Sequence, residues 1–141
     1  KAATISAVII QDVAAMLYAR EIGMTVQAST QLSISNYESV KFYSQYADTI
    51  VLARELDLAM IKHICTKVQE DQLKGPSGQL IKIEAFVHGA LCVAQSGRCQ
   101  MSLISNNTSA QRGYTAAQVE GAFVRIVLKF FIVRENLLII N

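Results

Sequence analysis

The clearest structural signal in the sequence is Ile81-Lys-Ile-Glu-Ala-Phe-Val-His88-Gly-Ala-Leu-Cys92-Val-Ala-Gln-Ser-Gly-Arg-Cys99-Gln-Met-Ser102. In its first eight residues, one set of side chains alternates with another: Ile81, Ile83, Ala85 and Val87 with Lys82, Glu84, Phe86 and His88. This period of two predicts a β-strand. The alternation stops at a glycine, and the turn that follows carries two cysteines. Glu84 and His88 share one face of the predicted strand. A carboxylate, an imidazole and two thiols therefore come close together in sequence.

Three more strand-like runs precede this one, at residues 6–10, 24–28 and 49–52, and helical patterns separate them. The predicted inward stripes of the three helices are Val13, Met16 and Leu17; Val40, Tyr43 and Ala47; and Leu58, Ile61, Ile64 and Val68. Ser35-Asn-Tyr-Glu38 predicts a capping box for the second helix. This βαβαβαβ pattern predicts an α/β fold in which parallel strands alternate with helices. A closed barrel takes eight strands and about 250 residues, so we interpret the chain as a portion of a TIM-barrel-like domain.

Polar residues follow every predicted strand. They are Gln11 and Asp12; Ser29, Thr30 and Gln31; Arg54 and Glu55; and His88, with Cys92 four residues later. Ligands of α/β folds bind at the carboxyl ends of the strands. The sequence therefore predicts a site at this edge of the sheet.

Several of these residues have a structural interpretation beside the functional one. Asp12 precedes a helix, and we favour a helix cap over a catalytic role for it. Glu84 can orient His88 or pair with Arg54 from the adjacent strand, and we favour the ion pair. Arg54 and Glu55 are neighbours, so within a strand they would point to opposite faces. His88 is either an acid–base group or metal ligand, or a histidine bonded to its neighbours in the sheet.

The chain has three cysteines, of which Cys92 and Cys99 have the spacing C-x6-C. Thiolates bind metals and iron–sulfur clusters, but this spacing is not that of a standard ferredoxin or zinc finger. Two reduced, buried thiols are the alternative, and Cys65 is expected to belong to the core. The sequence contains no standard phosphate-binding loop and neither the G-x-S-x-G nor the H-E-x-x-H motif.

Composition limits the classes of function. A net charge of +2 with 17% charged residues provides no general basic surface for coating a nucleic acid. We see no signal peptide, and charged residues interrupt the apolar run at residues 123–140, so a cytoplasmic protein without a membrane segment is expected. We expect this run to pair with an open sheet edge, and self-association through it is a further expectation.

The opening stretch resembles the signature of the U32 peptidase family, the collagenase-like proteins, in the form Glu84-x-Phe-Val-His-Gly-Ala-Leu-Cys92-x3-Ser-Gly-x-Cys99-x2-Ser102. Further blocks resemble the family in the same order, ending with Ser109-Ala-Gln-Arg-Gly113. The resemblance extends from about residue 5 to residue 113. We therefore expect a single partial U32-type barrel domain over residues 1–141, with a poorly matching segment at 114–141.

The resemblance implies that the substrate is RNA or a peptide, since family members are named as proteases while others support iron–sulfur-dependent, oxygen-independent hydroxylation of rRNA or tRNA bases. It makes Cys92 and Cys99 the first two ligands of an iron–sulfur cluster, although Thr115 and Val119 stand where further cysteines are expected. The expected catalytic residues are His88, Glu84, Arg54 and Glu55, and the expected substrate-binding residues are Asp12, Ser29, Thr30, Gln31 and Arg112. RNA hydroxylation is the favoured function. A metal-assisted peptidase and a non-catalytic binding module are the alternatives.

Overall fold

The computed structural model describes residues 5–87, Gln95, Ser96 and Arg98, together with the backbone of a short strand further along the chain. The elements are β1 (Ala7–Ile10), α1 (Val13–Glu21), β2 (Thr25–Ala28), a 3-10 turn (Thr30–Leu32), α2 (Tyr37–Tyr43), β3 (Thr49–Val51), α3 (Leu58–Glu70), β4 (Lys82–Phe86) and β5 (Phe130–Ile132). The predicted alternation of strands and helices is confirmed. The bounds of the first three strands differ from the prediction by one residue each.

The strands form one sheet in the order β1-β2-β3-β4-β5. The first four strands are parallel, with Val8 beside Val26, Ala28 beside Ile50, and Ile50 beside Ile83. Strands that neighbour each other in sequence also neighbour each other in the sheet. This sequential order is that of consecutive βα units in the wall of an α/β barrel.

The helices cover one face of the sheet. Side chains from this face and from all three helices make one buried cluster, which includes Met16, Ala19, Val26, Ala28, Val40, Ile50, Ile64, Val68 and Ile83. The opposite face carries Ile9, Gln27, Lys82 and Glu84, as the strand register and the alternation of side chains require. We call it the helix-free face. Ile9 is 62% exposed there.

Three details of the predicted helices are wrong, and one is that Leu58, predicted in the inward stripe of α3, is 71% exposed. In α1, Met16 and Ala19 face the core, whereas Val13 and Leu17 are exposed, because the nine-residue helix contacts the sheet along a narrow stripe. The N-cap of α2 is Asn36 rather than Ser35, since Asn36 is extended and its Oδ1 accepts a hydrogen bond of 2.8 Å from Ser39 N. The capping box therefore does not form.

The C-terminal apolar run supplies β5. It pairs antiparallel with β4, with Phe131 opposite Ala85 and Ile132 opposite Glu84. The prediction that this run pairs with the sheet edge is confirmed at these three residues, and self-association stays a prediction. Within the described part of the chain, no helix is both long and apolar enough to cross a membrane.

Candidate functional site

The ends of the four parallel strands meet at one edge of the sheet and are bonded to one another in succession. Ser29 N donates to Ile10 O at 2.9 Å, which joins the ends of β1 and β2. Thr30 Oγ1 donates to Leu52 O at 3.0 Å, and Leu52 N donates to Glu84 O at 2.8 Å. The structure thus brings the predicted polar strand ends together at one carboxyl edge.

Arg54 and Glu55 both contact Ser96, which lies 42 and 41 residues further along the chain. Arg54 N and Nε approach Ser96 Oγ at 3.2 and 3.4 Å. Ser96 N donates a short hydrogen bond to Glu55 Oε1. The prediction that Arg54 and Glu55 point to opposite faces is wrong, because β3 ends at Val51 and both residues lie in the following turn. We call these three residues the Ser96 cluster.

The Ser96 cluster lowers the pKa of Glu55. Desolvation alone would raise it. The opposing contributions are hydrogen bonds from the backbone N–H of Ser96, from Glu55's own backbone N–H and from the Ser96 hydroxyl, together with the attraction of the Arg54 guanidinium. Ser96 itself is 0% exposed. The buried Ser96 hydroxyl contacts both the Arg54 guanidinium and the Glu55 carboxylate, so Ser96 is bonded to the end of β3 by charged groups.

Glu84 lies on the helix-free face and is half-buried. Burial raises its pKa, an effect that the positive charge of Lys82 partly opposes. Within residues 5–87, Lys67 and Glu70 form a salt bridge on the surface, but Glu84 and Arg54 do not pair. The favoured ion pair is therefore wrong: Arg54 Nε lies instead against the Ser96 hydroxyl.

Three of the predicted substrate-binding residues already have structural partners. Asp12 Oδ1 accepts a hydrogen bond from Ala15 N at 2.9 Å, which confirms it as the N-cap of α1. Ser29 Oγ accepts from Gln31 N at 3.3 Å and caps the 3-10 turn, while Thr30 joins the ends of β2 and β3. All of them lie at the predicted edge. In this structure, their side chains stabilise the backbone at this edge through hydrogen bonds.

Four of the predicted site residues lie outside the described residues: His88, Cys92, Cys99 and Arg112. His88 directly follows Val87, the last residue of the continuously described range 5–87. Ser96 stands between the two cysteines, four residues after Cys92 and three before Cys99. In the sequence, the histidine and both cysteines are therefore near neighbours of residues that the structure describes at the strand ends.

The residues of this chain do not fit a four-thiolate iron–sulfur cluster. Such clusters are normally held by four cysteine thiolates, and the chain contains three cysteines. The third, Cys65, is partly buried on α3 against the core, and this burial raises the pKa of its thiol. Across the part of the chain that the structure describes, no three His, Cys, Asp or Glu side chains gather in a way that could hold a metal ion.

A groove lies between α2 and α3. Its volume is about 730 Å³, and its lining includes Tyr37, Glu38, His63, Lys67 and Asp71. Tyr37 Oη donates to Asp71 Oδ2 at 2.5 Å, and this hydrogen bond raises the pKa of Tyr37 to about 12. None of the predicted site residues lines the groove. It belongs to the helical layer and not to the strand ends.

Sequence reasoning assigned no role to Ser96, although the residue belongs to the matched signature. The signal that could have identified it is its position within an exact motif that also contains both cysteines. A serine offers no distinctive chemistry by itself, and a contact across 41 residues leaves no trace in local periodicity.

The signature and the arrangement of the strand ends can be compared with known proteins. The family model described as "Peptidase family U32" matches residues 1–121. The chain belongs to peptidase family U32. No solved structure matches it significantly.

Relatives with different printed names share this U32 segment. A "Collagenase" of Porphyromonas gingivalis strain W83 is 53% identical over 114 residues, which are 81% of this chain and 28% of that protein. The "tRNA hydroxylation protein P1" of Bacillus subtilis is 33% identical over 114 residues, 79% of this chain and 24% of that protein. The "23S rRNA 5-hydroxycytidine C2501 synthase" of Escherichia coli is 43% identical over 89 residues, 62% of this chain and 12% of that protein. The U32 chain thus spans under a third of the length of these relatives.

Proposed function

We propose that this U32 chain forms part of a protein that hydroxylates RNA bases. Relatives named for hydroxylation of tRNA and of 23S rRNA support this proposal. The structural observation that carries it is the Ser96 cluster, which brings Ser96, a residue of the sequence motif that contains Cys92 and Cys99, into contact with the end of β3. A motif that carries two thiols suits a redox reaction better than hydrolysis.

The bonding of Ser96 is unlike that of a protease nucleophile. A serine nucleophile is hydrogen-bonded to a general base, most often histidine. Ser96 Oγ instead lies against Arg54 N and Nε, and the Ser96 hydroxyl donates to the Glu55 carboxylate, so its partner is not a histidine. Among the described residues the strand ends therefore present no serine–histidine pair.

In this proposal the residues of the chain bind and orient the substrate. The half-buried hydroxyl and amide groups of Ser29, Thr30 and Gln31 lie at the same edge as the Ser96 cluster and offer hydrogen bonds to a base. His88, which follows Val87 in the sequence, is the residue of the motif whose side chain could move a proton. An iron–sulfur cluster at this edge requires thiolates from outside the 141 residues.

Nucleoside analysis tests the proposed hydroxylation. Total tRNA and rRNA from a strain lacking the full-length gene should lack a nucleoside that carries one additional oxygen. The wild-type gene should restore it, whereas Cys92→Ser and Cys99→Ser should not. Ser44→Ala, which removes a buried hydroxyl bonded to Lys41 O, is the matched control and should restore the nucleoside. Unchanged nucleosides in the deletion strain would contradict the proposal.

A peptidase is the second candidate, because two relatives named "Collagenase" are 53% and 44% identical to this chain. In that case His88 and a carboxylate such as Glu84 would assist hydrolysis with a bound metal. Purified full-length protein should then cleave gelatin in a reaction that survives Cys92→Ala and disappears in His88→Ala. The opposite dependence, on Cys92 and not on His88, would count against a metal-assisted peptidase.

A further inference from the structure

We propose that the groove between α2 and α3 is a docking surface for a basic, amphipathic helix of a partner protein. The inference does not depend on the proposed function, because the groove lies in the helical layer and none of the predicted site residues lines it. It rests on the shape of the groove, on its apolar side chains and on the sign of the charges around it.

The groove is long enough for about three turns of a helix. Its α3 wall runs from Met60 to Asp71, which spans about 16 Å along the helix axis. The hydrogen bond from Tyr37 Oη to Asp71 Oδ2 ties the start of α2 to the end of α3, so the two walls are held together at this end. The backbone groups of both walls are bonded within their own helices. The groove therefore offers side chains rather than a sheet edge, which favours a helix over an extended peptide.

Apolar side chains of α3 remain open to such a helix. Met60 is 50% exposed, and Ala59 beside it is exposed as well. Met60 and Ile64 are four residues apart, so they share one face of α3, and both line the groove. A methionine side chain is flexible and polarizable, and it adapts to partners of different shape. The apolar face of an amphipathic helix would cover these side chains.

The charges around the groove favour a cationic partner. Glu38 and Asp71 bring two carboxylates into its lining. Lys67 is the one lysine or arginine among the described lining residues, and its Nζ is already bonded to Glu70 Oε2 at 2.8 Å. The groove thus has an excess of negative charge, although the whole chain has a net charge of +2. Lysine or arginine side chains beside the apolar face of a partner helix would complement it, whereas a polyanion such as RNA would be repelled.

Binding of a model peptide to the full-length protein tests this inference. The probe is a fluorescein-labelled helical peptide of leucine and lysine, about four turns long, and its fluorescence anisotropy is followed as the protein is added. Glu38→Lys turns an attraction into a repulsion and should weaken binding at least about fivefold. Met60→Ser removes apolar contact from the other wall and should weaken it about threefold. Because Glu38 lies in the first turn of α2, Met60→Ser also keeps the test independent of any loss of helix stability in Glu38→Lys.

Two controls separate docking in the groove from a general attraction for a basic peptide. Glu21→Lys makes the same change of charge at an exposed position of α1, outside the groove, and should leave the affinity within about twofold of the wild type. A leucine–glutamate peptide of the same length should not bind. Hydrogen exchange then locates the peptide, which should slow exchange in α2 and α3 and leave α1 unchanged.

Each outcome decides the matter. Failure of the wild-type protein to bind the leucine–lysine peptide, or equal weakening by Glu38→Lys and Glu21→Lys, would overturn the inference. Self-association that Glu38→Lys abolishes would also overturn it, because the occupant would then be a second copy of the chain. Weakening by both Glu38→Lys and Met60→Ser, with slower exchange confined to α2 and α3, supports it whatever the nucleoside analysis finds.

Discussion

At the scale of single residues, hydrogen bonds to Ser96 join the charged residues Arg54 and Glu55 at the end of β3. Arg54 and Glu55 share Ser96, so Arg54 is not positioned to neutralise Glu84. Glu84 is half-buried, and this burial raises the pKa of its carboxyl group. The positive charge of Lys82 lowers the pKa by a smaller amount, so the net shift is upward. A carboxylate in this situation is destabilising when ionised.

This situation predicts a pH-dependent effect of Glu84→Gln. The folded-state pKa of Glu84 is raised, so the folded protein favours the protonated carboxyl group. Below the ordinary pKa of 4.5 this group costs no stability, and the free energy of unfolding falls as the pH rises through the folded-state pKa. We expect Glu84→Gln to raise the melting temperature at about pH 7 and to leave it nearly unchanged at about pH 4. Thermal unfolding of both proteins across this range is the measurement. Parallel curves with a constant offset would show that the carboxylate charge is not responsible.

At the scale of elements, one close approach fixes the connection between α3 and β4. A Cβ on Gly75 would lie 2.5 Å from Asp48 Oδ1 and 3.0 Å from Asp48 Cα. The same Asp48 Oδ1 accepts a hydrogen bond from Ser77 N at 2.9 Å, so it cannot move away without losing that bond. The turn is thereby attached to the chain just before β3, beside β4 in the sheet.

We expect Gly75→Ala to lower the free energy of unfolding by about 1–3 kcal/mol, because the added methyl group forces the backbone of Asp48 or the turn to shift. Gly78→Ala is the matched control. Gly78 has φ +77° and open space around its Cβ position. Gly78→Ala should therefore lower the free energy of unfolding by about 1 kcal/mol through backbone strain alone, without a steric clash. Chemical denaturation of both variants provides the comparison, and an equal cost at the two positions would argue against the steric explanation.

At the scale of the whole molecule, the two faces of the sheet differ. The helices cover one face, on which Ile50 and Ile83 are buried, whereas the helix-free face leaves Ile9 62% exposed. The chain spans under a third of the U32 relatives compared above, and in an α/β barrel the inward face of each strand packs against the rest of the wall.

Two isoleucines on opposite faces make this asymmetry measurable. Ile50→Ala removes a fully buried side chain and should lower the free energy of unfolding by about 2–5 kcal/mol. Ile9→Ala removes the same atoms from the exposed face and should cost less than about 1 kcal/mol in the isolated chain. Chemical denaturation at several protein concentrations is the test. A large, concentration-dependent cost for Ile9→Ala would reveal that self-association covers this face.

The sequence by itself determined the alternation of strands and helices, the polar strand ends, the cap at Asp12 and the U32 signature. These features depend on local periodicity, on capping chemistry or on exact spacing, all of which can be read along the chain. The first strands were placed to within one residue for this reason. Local capping chemistry still left a choice between Ser35 and Asn36, which only the backbone conformation resolved.

Only the tertiary structure decided which strand-end residues meet. Arg54 and Glu55 turn together toward Ser96 because β3 ends early, and the predicted pairing of Arg54 with Glu84 gives way to that contact. Such a choice depends on where the backbone stops being extended and on partners more than 40 residues away, so no local pattern encodes it. The contact of Ser96 with Arg54 and Glu55 is likewise a product of the fold, whereas the cysteines on either side of Ser96 are evident from the sequence.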